Sequence, residues 1–254
     1  MRIARVSVPD LEGPVFGVIN GNQVGLLKGH PFGELEPAGI ALELDDVKIL
    51  SPVLPSKVVC VGKNYADHAK EMGGEVPAEP VIFIKPNTTV IGEGEPIVCP
   101  PHSENVHHEA ELAIVISHLC KNVDPDRAAE VILGYTIAND VTARDIQHRD
   151  GQWTRAKSFD TFCPLGPWIE TDLDVSNLNI TCEVNGEVRQ SGNTRDMQRN
   201  VYDIVAFISS VMTLLPGDVI LTGTPAGVGP IVHGDEVVVT IEGIGALANP
   251  VVLR

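Results

Sequence analysis

The stretch that most constrains the fold is residues 107–116, where two glutamates interrupt an otherwise largely apolar, β-branched run. Its length and composition predict a β-strand, in which successive side chains alternate between two faces. Glu109 and Glu111 therefore share one face, about 7 Å apart along the strand. Leu112 and Ile114 occupy the other face. A solvated polar face is the usual meaning of such a pair, but two carboxylates at this spacing can also reach one hard cation.

A third carboxylate, Asp140, ends the strand-like run of residues 135–140. A terminal aspartate is often only a turn residue. Three carboxylates that meet favour an oxygen-preferring divalent ion, with Mg²⁺ first and Mn²⁺ or Ca²⁺ next. His107 and His108 leave a zinc or iron site as the alternative. A regular strand points His108 away from the glutamate face, which disfavours that alternative.

The rest of the chain repeats short β-branched runs and carries few helical segments, which predicts a mainly β fold with some α. A Pro-bearing stretch at residues 51–56 follows the first strands. We therefore expect a small N-terminal β domain over residues 1–55 and a larger domain over residues 56–254. Asn20-Gly21 and Asn185-Gly186 predict two-residue hairpin turns.

Start and stop signals predict three helices. Asp124-Pro125 precedes a helix that ends at residue 133. Thr142 and Asp145 have capping-box spacing for a short helix through Gln147. An apolar stripe at helical spacing over residues 201–215 completes the set and indicates a buried face.

The charge of the chain excludes several classes of partner. Eighteen basic against 34 acidic residues give a formal net charge of −16. A surface so acidic repels phosphate backbones and anionic lipid headgroups, so we expect neither nucleic-acid nor membrane binding. Five cysteines without Cys-x-x-Cys spacing disfavour a disulfide framework and a cysteine zinc site. With no signal-peptide pattern and no apolar run of about 18 residues, we expect a cytoplasmic protein.

Three further side chains could carry chemistry. His68 and Glu71 stand three residues apart on a predicted short helix, where such pairs are usually solvated. A carboxylate that orients a histidine also makes a general base, and Gly73-Gly74 would suit a mobile lid. Lys157 is expected at the surface by default, whereas beside a metal-bound enolate it would be an electrostatic partner or proton donor.

Residues 222–229 form a glycine-bearing turn after a strand-like run. The stretch lacks the Lys-Ser/Thr pair of a phosphate loop, which weakens a nucleotide-binding interpretation. Its backbone amides and the Thr224 hydroxyl are better suited to a carboxylate.

Six stretches, in order along the chain, together resemble the fumarylacetoacetate hydrolase family; they are residues 62–68, 83–86, 108–112, 139–147, 156–160 and 222–229. The resemblance implies a mixed, rolled β-sheet domain that binds a divalent metal and usually forms a homodimer. The first 50 or so residues look like the small N-terminal domain of bacterial members.

The resemblance also implies roles for particular residues. The metal carboxylates of the family match Glu109, Glu111 and Asp140, and its active-site lysine matches Lys157. Its lid His–Glu dyad, in the acylpyruvate hydrolase and oxaloacetate decarboxylase branch, matches His68 and Glu71. Positions that contact substrate match Gln147 and Thr224.

These inferences predict a Mg²⁺-dependent enzyme that acts on small 2-oxo or 2-hydroxy-enoic di-acids by stabilising an enolate, with C–C bond hydrolysis or decarboxylation as the reaction. The alternative enzyme is a 2-hydroxyhepta-2,4-diene-1,7-dioate isomerase of aromatic catabolism. The alternative outside enzymes is a catalytically inactive metal- or ligand-binding domain. A bound cation would also offset the acidic surface for an anionic substrate.

Overall fold

The computed structural model describes residues 1–9 and 11–254, and its architecture is mainly β, as the sequence predicts. The strands are, in chain order, β1 (Arg2–Ser7), β2 (Val15–Asn20), β3 (Gln23–Leu27), β4 (Pro37–Glu43), β5 (Lys48–Leu50), β6 (Val58–Gly62), β7 (Val81–Lys85), β8 (Val90–Ile91), β9 (Ile97–Cys99), β10 (Val106–His108), β11 (Ala110–Ile116), β12 (Ile132–Asn139), β13 (Thr142–Ala143), β14 (Cys163–Glu170), β15 (Asn179–Val184), β16 (Glu187–Asn193), β17 (Val219–Leu221), β18 (Gly229–Pro230), β19 (Glu236–Ile241) and β20 (Gly245–Leu253). The helices are α1 (Ala66–Glu71), α2 (Arg144–Asp150), α3 (Thr154–Lys157) and α4 (Val201–Val211).

A twelve-stranded sheet forms the centre of the molecule. Its strand order is β4-β3-β2-β1-β14-β12-β11-β17-β6-β7, with β5 beside β1 and β8 beside β14. The sheet is mixed, because β17 runs parallel to β6 and β8 runs parallel to β14 while the other pairs are antiparallel. A five-stranded sheet of order β16-β15-β19-β20-β9 and a three-stranded ribbon, β13-β10-β18, complete the fold.

The main core lies between the large sheet and the five-stranded sheet. Leu112 and Ile137 of the large sheet share one buried cluster with Ile180 and Leu247 of the five-stranded sheet. Ala113, one position after Leu112 on β11, belongs to a second cluster on the opposite face. The alternation predicted over residues 107–116 is therefore observed over β11, with both faces buried, but the run is not one strand, because β10 ends at His108 and Glu109 lies between β10 and β11. Each fully buried aliphatic side chain contributes about 1.5–3 kcal/mol.

The first five strands have a small buried cluster of their own, which includes Ala4, Val6 and Val24. They are also continuous with the large sheet, because β1 pairs with β14 through Arg2 opposite Glu170 and Ile3 opposite Ile169. The predicted division between residues 55 and 56 falls in the segment that links β5 to β6.

The hairpin between β15 and β16 turns where the sequence predicts. Val184 pairs with Glu187, which leaves Asn185 and Gly186 as the two turn residues. Their φ angles are +54° and +77°. Both values are positive, as a type I′ turn requires.

The hairpin between β2 and β3 turns one residue later than predicted. Asn20 pairs with Gln23, so Gly21 and Asn22 form the turn. Gly21 takes φ +61°, a value that costs glycine little.

Two predicted helices are shorter than their signals suggest. A 3₁₀ helix, Pro125–Val131, replaces the helix expected through residue 133, because the chain from Ile132 onward joins β12. The stripe predicted over residues 201–215 is helical only in α4, because Leu214 leaves it to pair with Cys120 in an isolated bridge.

Helix α2 begins without the predicted capping box. Its first residue is Arg144, and the Thr142 hydroxyl donates instead to the carbonyl oxygen of Asp140 at 2.8 Å. The Asp145 carboxylate accepts from the Ser103 hydroxyl at 2.5 Å. Thr142 therefore bonds locally outside the helix, and Asp145 joins the helix to the segment that carries Ser103.

All five cysteines are buried and free. None of the helices in the described ranges, 1–9 and 11–254, is long and apolar enough to cross a membrane.

Candidate active site

Three buried carboxylates converge at the centre of the large sheet. One oxygen each from Glu109, Glu111 and Asp140 lies within 4.8 Å of the other two. The relative exposure of the three residues is 4%, 2% and 1%. We call this set the acidic trio.

Pairing of β11 with β12 positions the acidic trio. Ala110 lies opposite Asn139, so the residues that flank this pair on the two strands come together. The Glu109 amide donates to Asn139 Oδ1 at 2.9 Å, and the Asp140 amide donates to the Glu109 carbonyl at 2.8 Å. Backbone hydrogen bonds on both sides therefore fix the carboxylates before any ligand arrives.

Three cations neutralise most of this acidic charge. Lys157 Nζ lies 2.7 Å from Glu109 Oε2 and 2.6 Å from Asp140 Oδ2. Lys85 Nζ lies 2.5 Å from the other Asp140 oxygen, and Arg144 forms an ion pair with Glu109. Lys85 is fully buried and Lys157 is 2% exposed, so these charges are stable inside the fold only because they are paired.

The surroundings of Glu109 keep it ionised. Burial alone would raise the pKa of its carboxyl, but the nearby Lys157 and Arg144 charges outweigh burial and hold that pKa below its ordinary value. Glu109 is therefore a permanent negative charge at neutral pH.

The compensation at Glu111 is weaker, because the Lys157 charge and the Gly223 amide lower the pKa of its carboxyl by less than the other surroundings raise it. Burial raises the pKa of its carboxyl well above the ordinary range, and the neighbouring charges of Asp140 and Glu109 raise it further. Among the ion pairs in the described part of the chain, none involves Glu111, although the Gly223 amide donates to its Oε2 at 2.6 Å. A buried carboxylate with an unmet need for positive charge, next to two others, fits a hard divalent cation.

His68 and Glu71 form a hydrogen-bonded pair on α1. His68 Nδ1 lies 3.0 Å from Glu71 Oε2, and the other Glu71 oxygen accepts from the Gly227 amide at 3.1 Å. Gly227 has φ +99°, and a Cβ there would overlap the Arg189 carbonyl oxygen, so only glycine fits this turn. The 222–229 turn thus holds the carboxylate that orients the histidine.

A cavity of about 290 Å³ brings these groups together. The sequence-predicted residues on its wall are His68, Glu109, Glu111, Asp140, Gln147, Lys157 and Thr224. Glu71 is connected to it through His68. Phe83, Trp153 and Met72 form an apolar wall, with the two aromatic rings edge to face at 5.3 Å. The cavity therefore combines charged groups with an apolar surface, and the Lys157 ammonium lies over the Phe83 ring.

The geometry gives no support to the histidine-ligand alternative. Within residues 1–9 and 11–254, the side chains that converge as possible metal ligands are the acidic trio. His108 Nδ1 lies 2.9 Å from Gln190 Oε1, and His107 Nε2 lies 2.9 Å from Asn105 Oδ1. Both histidines thus have one ring nitrogen engaged with a side chain outside the trio.

The sequence analysis did not single out Lys85, Arg144 or Gln190. Lys85 closes an apolar strand, and Arg144 stands three residues before Gln147, to which it donates at 2.7 Å; both positions are weak signals for a buried cation. Gln190 is buried between exposed neighbours on β16, and no local pattern marks it.

The chain is similar to known proteins along its whole length. The family described as fumarylacetoacetate (FAA) hydrolase, C-terminal, matches residues 57–252, and the family described as Rv2993c-like, N-terminal, matches residues 1–52. A solved structure of 5-carboxymethyl-2-hydroxymuconate delta-isomerase from Mycobacterium smegmatis is 54% identical, with 100% of each chain covered and a TM-score of 0.95.

Two further similar proteins have other names. The human mitochondrial oxaloacetate tautomerase FAHD2A is 41% identical over 288 residues, which cover 99% of this chain and 92% of the tautomerase. Maleylpyruvate hydrolase from Sphingobium sp. SYK-6, solved in complex with manganese(II) ion and pyruvate, is 31% identical with a TM-score of 0.82, covering 100% of this chain and 99% of the hydrolase.

Proposed function

The chain belongs to the fumarylacetoacetate hydrolase family, and from that membership we propose a divalent-metal-dependent enzyme that acts on small 2-oxo di-acids, or their 2-hydroxy-enoic forms, through a stabilised enolate. The observation that carries the proposal is the buried convergence of Glu109, Glu111 and Asp140 on a cavity wall. Such a concave site with ionisable groups in unusual environments is the expected form of an active site.

The acidic trio would hold the metal. We propose Mg²⁺ as the native ion because all three donors are hard oxygens, with Mn²⁺ or Ca²⁺ as substitutes. The bound ion supplies positive charge that stabilises the negative charge developing on a substrate oxygen. The manganese in the maleylpyruvate hydrolase structure supports a divalent site in this fold.

Lys157 would bring a second positive charge to the same end of the substrate. Burial alone would lower the pKa of its ammonium, but Asp140 and Glu109 raise it above its ordinary value. Lys157 thus stays protonated and acts as an electrostatic partner for the enolate rather than as a base.

His68 would move the proton. Because Nδ1 faces the Glu71 carboxylate, it carries the ring hydrogen, which leaves Nε2 as the basic nitrogen. Nε2 takes a proton from the carbon next to the 2-oxo group, the C–H electron pair becomes the C=C bond of the enolate, and the C=O π pair moves onto the 2-oxo oxygen. Return of the proton to oxygen gives the enol, and its return to a more distant carbon gives an isomer.

We favour proton transfer without bond cleavage, that is, keto–enol tautomerisation or isomerisation. The isomerase at 54% identity and the tautomerase at 41% identity, both similar over nearly the whole chain, support this choice. Hydrolysis of a C–C bond is the second candidate, because the His68–Glu71 pair could also deprotonate a water molecule. Decarboxylation would use the same enolate stabilisation.

A panel of substrates tests the proposal. The full chain would be assayed with Mg²⁺ on oxaloacetate, an acylpyruvate and 2-hydroxyhepta-2,4-diene-1,7-dioate, with enol absorbance and product formation followed separately. We expect the fastest rates for tautomerisation or isomerisation, and loss of these rates in EDTA. Faster pyruvate release from the acylpyruvate would favour the hydrolase, and no turnover of any compound would favour the inactive binding domain.

We include a homodimer in the proposal, as the family resemblance implies. Light scattering coupled to size-exclusion chromatography would then give twice the mass of the chain.

A further inference from the structure

Gln190 is a fully buried amide on β16 that connects three parts of the fold. Its Oε1 lies 3.0 Å from the Ala110 amide and 2.9 Å from His108 Nδ1. Its Nε2 lies 2.7 Å from Thr224 Oγ1 and 2.8 Å from the Pro225 carbonyl oxygen. All four hydrogen-bonding positions of the amide are thus in use.

Two backbone groups decide which way this amide points. The Ala110 amide can only donate, so the Gln190 atom that faces it is the oxygen. The Pro225 carbonyl can only accept, so the Gln190 atom that faces it is the nitrogen. A flipped amide would place its NH₂ group against the Ala110 N–H and its oxygen against the Pro225 carbonyl. Burial makes two such unpaired contacts costly.

The amide orientation then fixes the Thr224 hydroxyl. Because Gln190 Nε2 donates to Thr224 Oγ1, the hydroxyl oxygen is an acceptor on that side and must direct its own hydrogen elsewhere. The Pro225 carbonyl lies 3.5 Å from Oγ1, outside the 2.5–3.0 Å range of a good O–H···O bond, and it already accepts from Gln190. Thr224 lines the cavity, so its hydrogen is available to a ligand there.

The ligand group that this hydrogen meets follows from the neighbouring residue. Gly223, directly before Thr224, donates its amide to Glu111 of the acidic trio. Thr224 therefore follows a residue that contacts the trio, and it lines the same cavity, where the proposed function places the carboxylate and 2-oxo end of the substrate.

We infer that Gln190 is a positioning residue that holds Thr224 as a hydrogen-bond donor for the carboxylate next to the 2-oxo group of the substrate. The inference rests on the proposed function for the identity of the ligand. Gln190 is absent from the cavity wall in the described part of the chain, so it acts on a ligand there through its hydrogen-bond partners, and of these Thr224 lines the cavity. It selects for an anionic oxygen acceptor at a point where a freely rotating hydroxyl would accept or donate.

A double-mutant comparison tests this link. Oxalate, which shares the carboxylate and adjacent oxygen of a 2-oxo acid, would be titrated calorimetrically into the Mg²⁺-loaded protein. We expect Gln190→Met to weaken oxalate binding about 5- to 10-fold and Thr224→Val about 10-fold, the size of a lost hydrogen bond to a charged group. In the Thr224→Val background, Gln190→Met should change the affinity less than 2-fold. In a Thr224→Ser background, which keeps the hydroxyl, Gln190→Met should again weaken oxalate binding.

Equal fold-changes from Gln190→Met in the wild-type and Thr224→Val backgrounds would overturn the inference, because a purely structural role does not depend on the hydroxyl. If Gln190→Met does not fold, Gln190→Glu replaces it in the same comparison. The added charge of Gln190→Glu affects oxalate affinity in both the wild-type and the Thr224→Val backgrounds, so its contribution cancels when the two fold-changes are compared. Asn20→Asp, which places one extra negative charge at the exposed end of β2, controls for net charge.

Turnover gives a second readout. The KM for oxaloacetate should rise in Gln190→Met while kcat changes little, because the lost bond is made to the bound carboxylate. A wild-type protein that fails to bind oxalate with Mg²⁺ would count against the proposed function itself. A wild-type protein that binds oxalate but shows no dependence on Thr224 would overturn the positioning role alone.

Discussion

Glu111 is the residue whose surroundings most clearly indicate a bound ligand. Glu109 and Asp140 are each paired with buried cations, whereas Glu111 accepts only a backbone amide among the contacts of the described residues. A carboxylate left in this state inside a protein takes up a proton or a metal. Binding of a metal ion at Glu111 should therefore change the free energy of unfolding.

Substitution Glu111→Gln should remove the stabilisation by Mg²⁺. A ligand at 100 times its Kd adds about 2.7 kcal/mol to the stability of a folded protein. In a chain of this size that raises Tm by several degrees, at about 2–4 °C per kcal/mol. We expect wild type to show this rise on addition of Mg²⁺ and Glu111→Gln to lose most of it. Its metal-free Tm should equal or exceed that of wild type, since the amide has no negative charge to bury and no carboxyl that must be protonated.

Glu183→Gln is the matched control for this measurement. Glu183 lies on β15 without an ion pair among the described residues, so its Mg²⁺ response should equal that of wild type. A full Mg²⁺ response in Glu111→Gln would contradict the assignment of this carboxylate as a metal ligand.

His68→Ala should separate proton transfer from metal binding. General acid–base groups contribute about 10²–10⁴-fold to a rate. We expect kcat for oxaloacetate tautomerisation to fall within that range while the Mg²⁺-induced rise in Tm is kept, because His68 is not one of the converging carboxylates. The exposed His118, substituted by alanine, controls for loss of an imidazole elsewhere. An unchanged kcat would mean that another group moves the proton.

At the scale of elements, β11, the strand that carries Glu111, was predictable and the helix that follows Asp140 was only partly so. Period-two alternation in residues 110–116 is a local property, and the sheet buries both faces as that pattern allows. The Thr142–Asp145 spacing has the form of a capping box, but other groups compete for both side chains. The Thr142 hydroxyl bonds locally to the Asp140 carbonyl, whereas Asp145 accepts from the Ser103 hydroxyl 42 positions away, and such a long-range contact leaves no trace in local spacing.

The same limit explains why the roles of Gln190 and of the cations around the acidic trio could not be predicted from the sequence. Lys157 has small and aromatic neighbours in a charged stretch, so the sequence alone left its position open between solvent and active site. The contact that settles its burial joins residues 17 and 48 positions apart along the chain. Gln190 meets partners 34 to 82 positions away, and no periodic pattern encodes such contacts.

Glu170, where β1 pairs with β14, makes the free energy of unfolding depend on pH. Burial alone would raise the pKa of Glu170, but the N-terminal ammonium, the Asp172 amide and Arg2 together hold it below the ordinary value. A carboxyl whose pKa is lowered by folding stabilises the protein above its unfolded pKa of about 4.3 and loses that contribution as the pH falls through the lower folded value.

Glu170→Gln should therefore destabilise the protein at pH 7 and much less at pH 3. The charged partners are about half exposed, which limits the effect to at most about 1 kcal/mol. Urea unfolding midpoints at the two pH values would measure it, with Glu183→Gln as the control. A gap between variant and wild type that is equal at both pH values would show that Glu170 acts by packing instead.

For the whole molecule, a net charge of −16 surrounds a site proposed for anionic substrates. The cavity holds Lys157, Arg144 and Lys63 on its wall, so the local field near the trio differs from the field that an approaching anion meets first. Salt screens the distant charges more than the buried ones.

Raising the salt concentration from about 0.02 M to about 0.2 M should therefore raise kcat/KM for a di-acid, through a lower KM with kcat unchanged. A mono-anionic acylpyruvate should gain less. A fall in kcat/KM with salt would show that the positive groups of the cavity control the approach of substrate from solution.

The pairing of β1 with β14 also bears on how the chain can be divided. A fragment that starts near residue 57 would lose Ile3 from its interior and leave the amides and carbonyls near Ile169 without the neighbour they hydrogen-bond to. An exposed strand edge of this kind can pair with another chain. We therefore expect the truncated protein to precipitate or to form domain-swapped oligomers. Anyone trimming the protein for crystals or fusions should retain the opening strand.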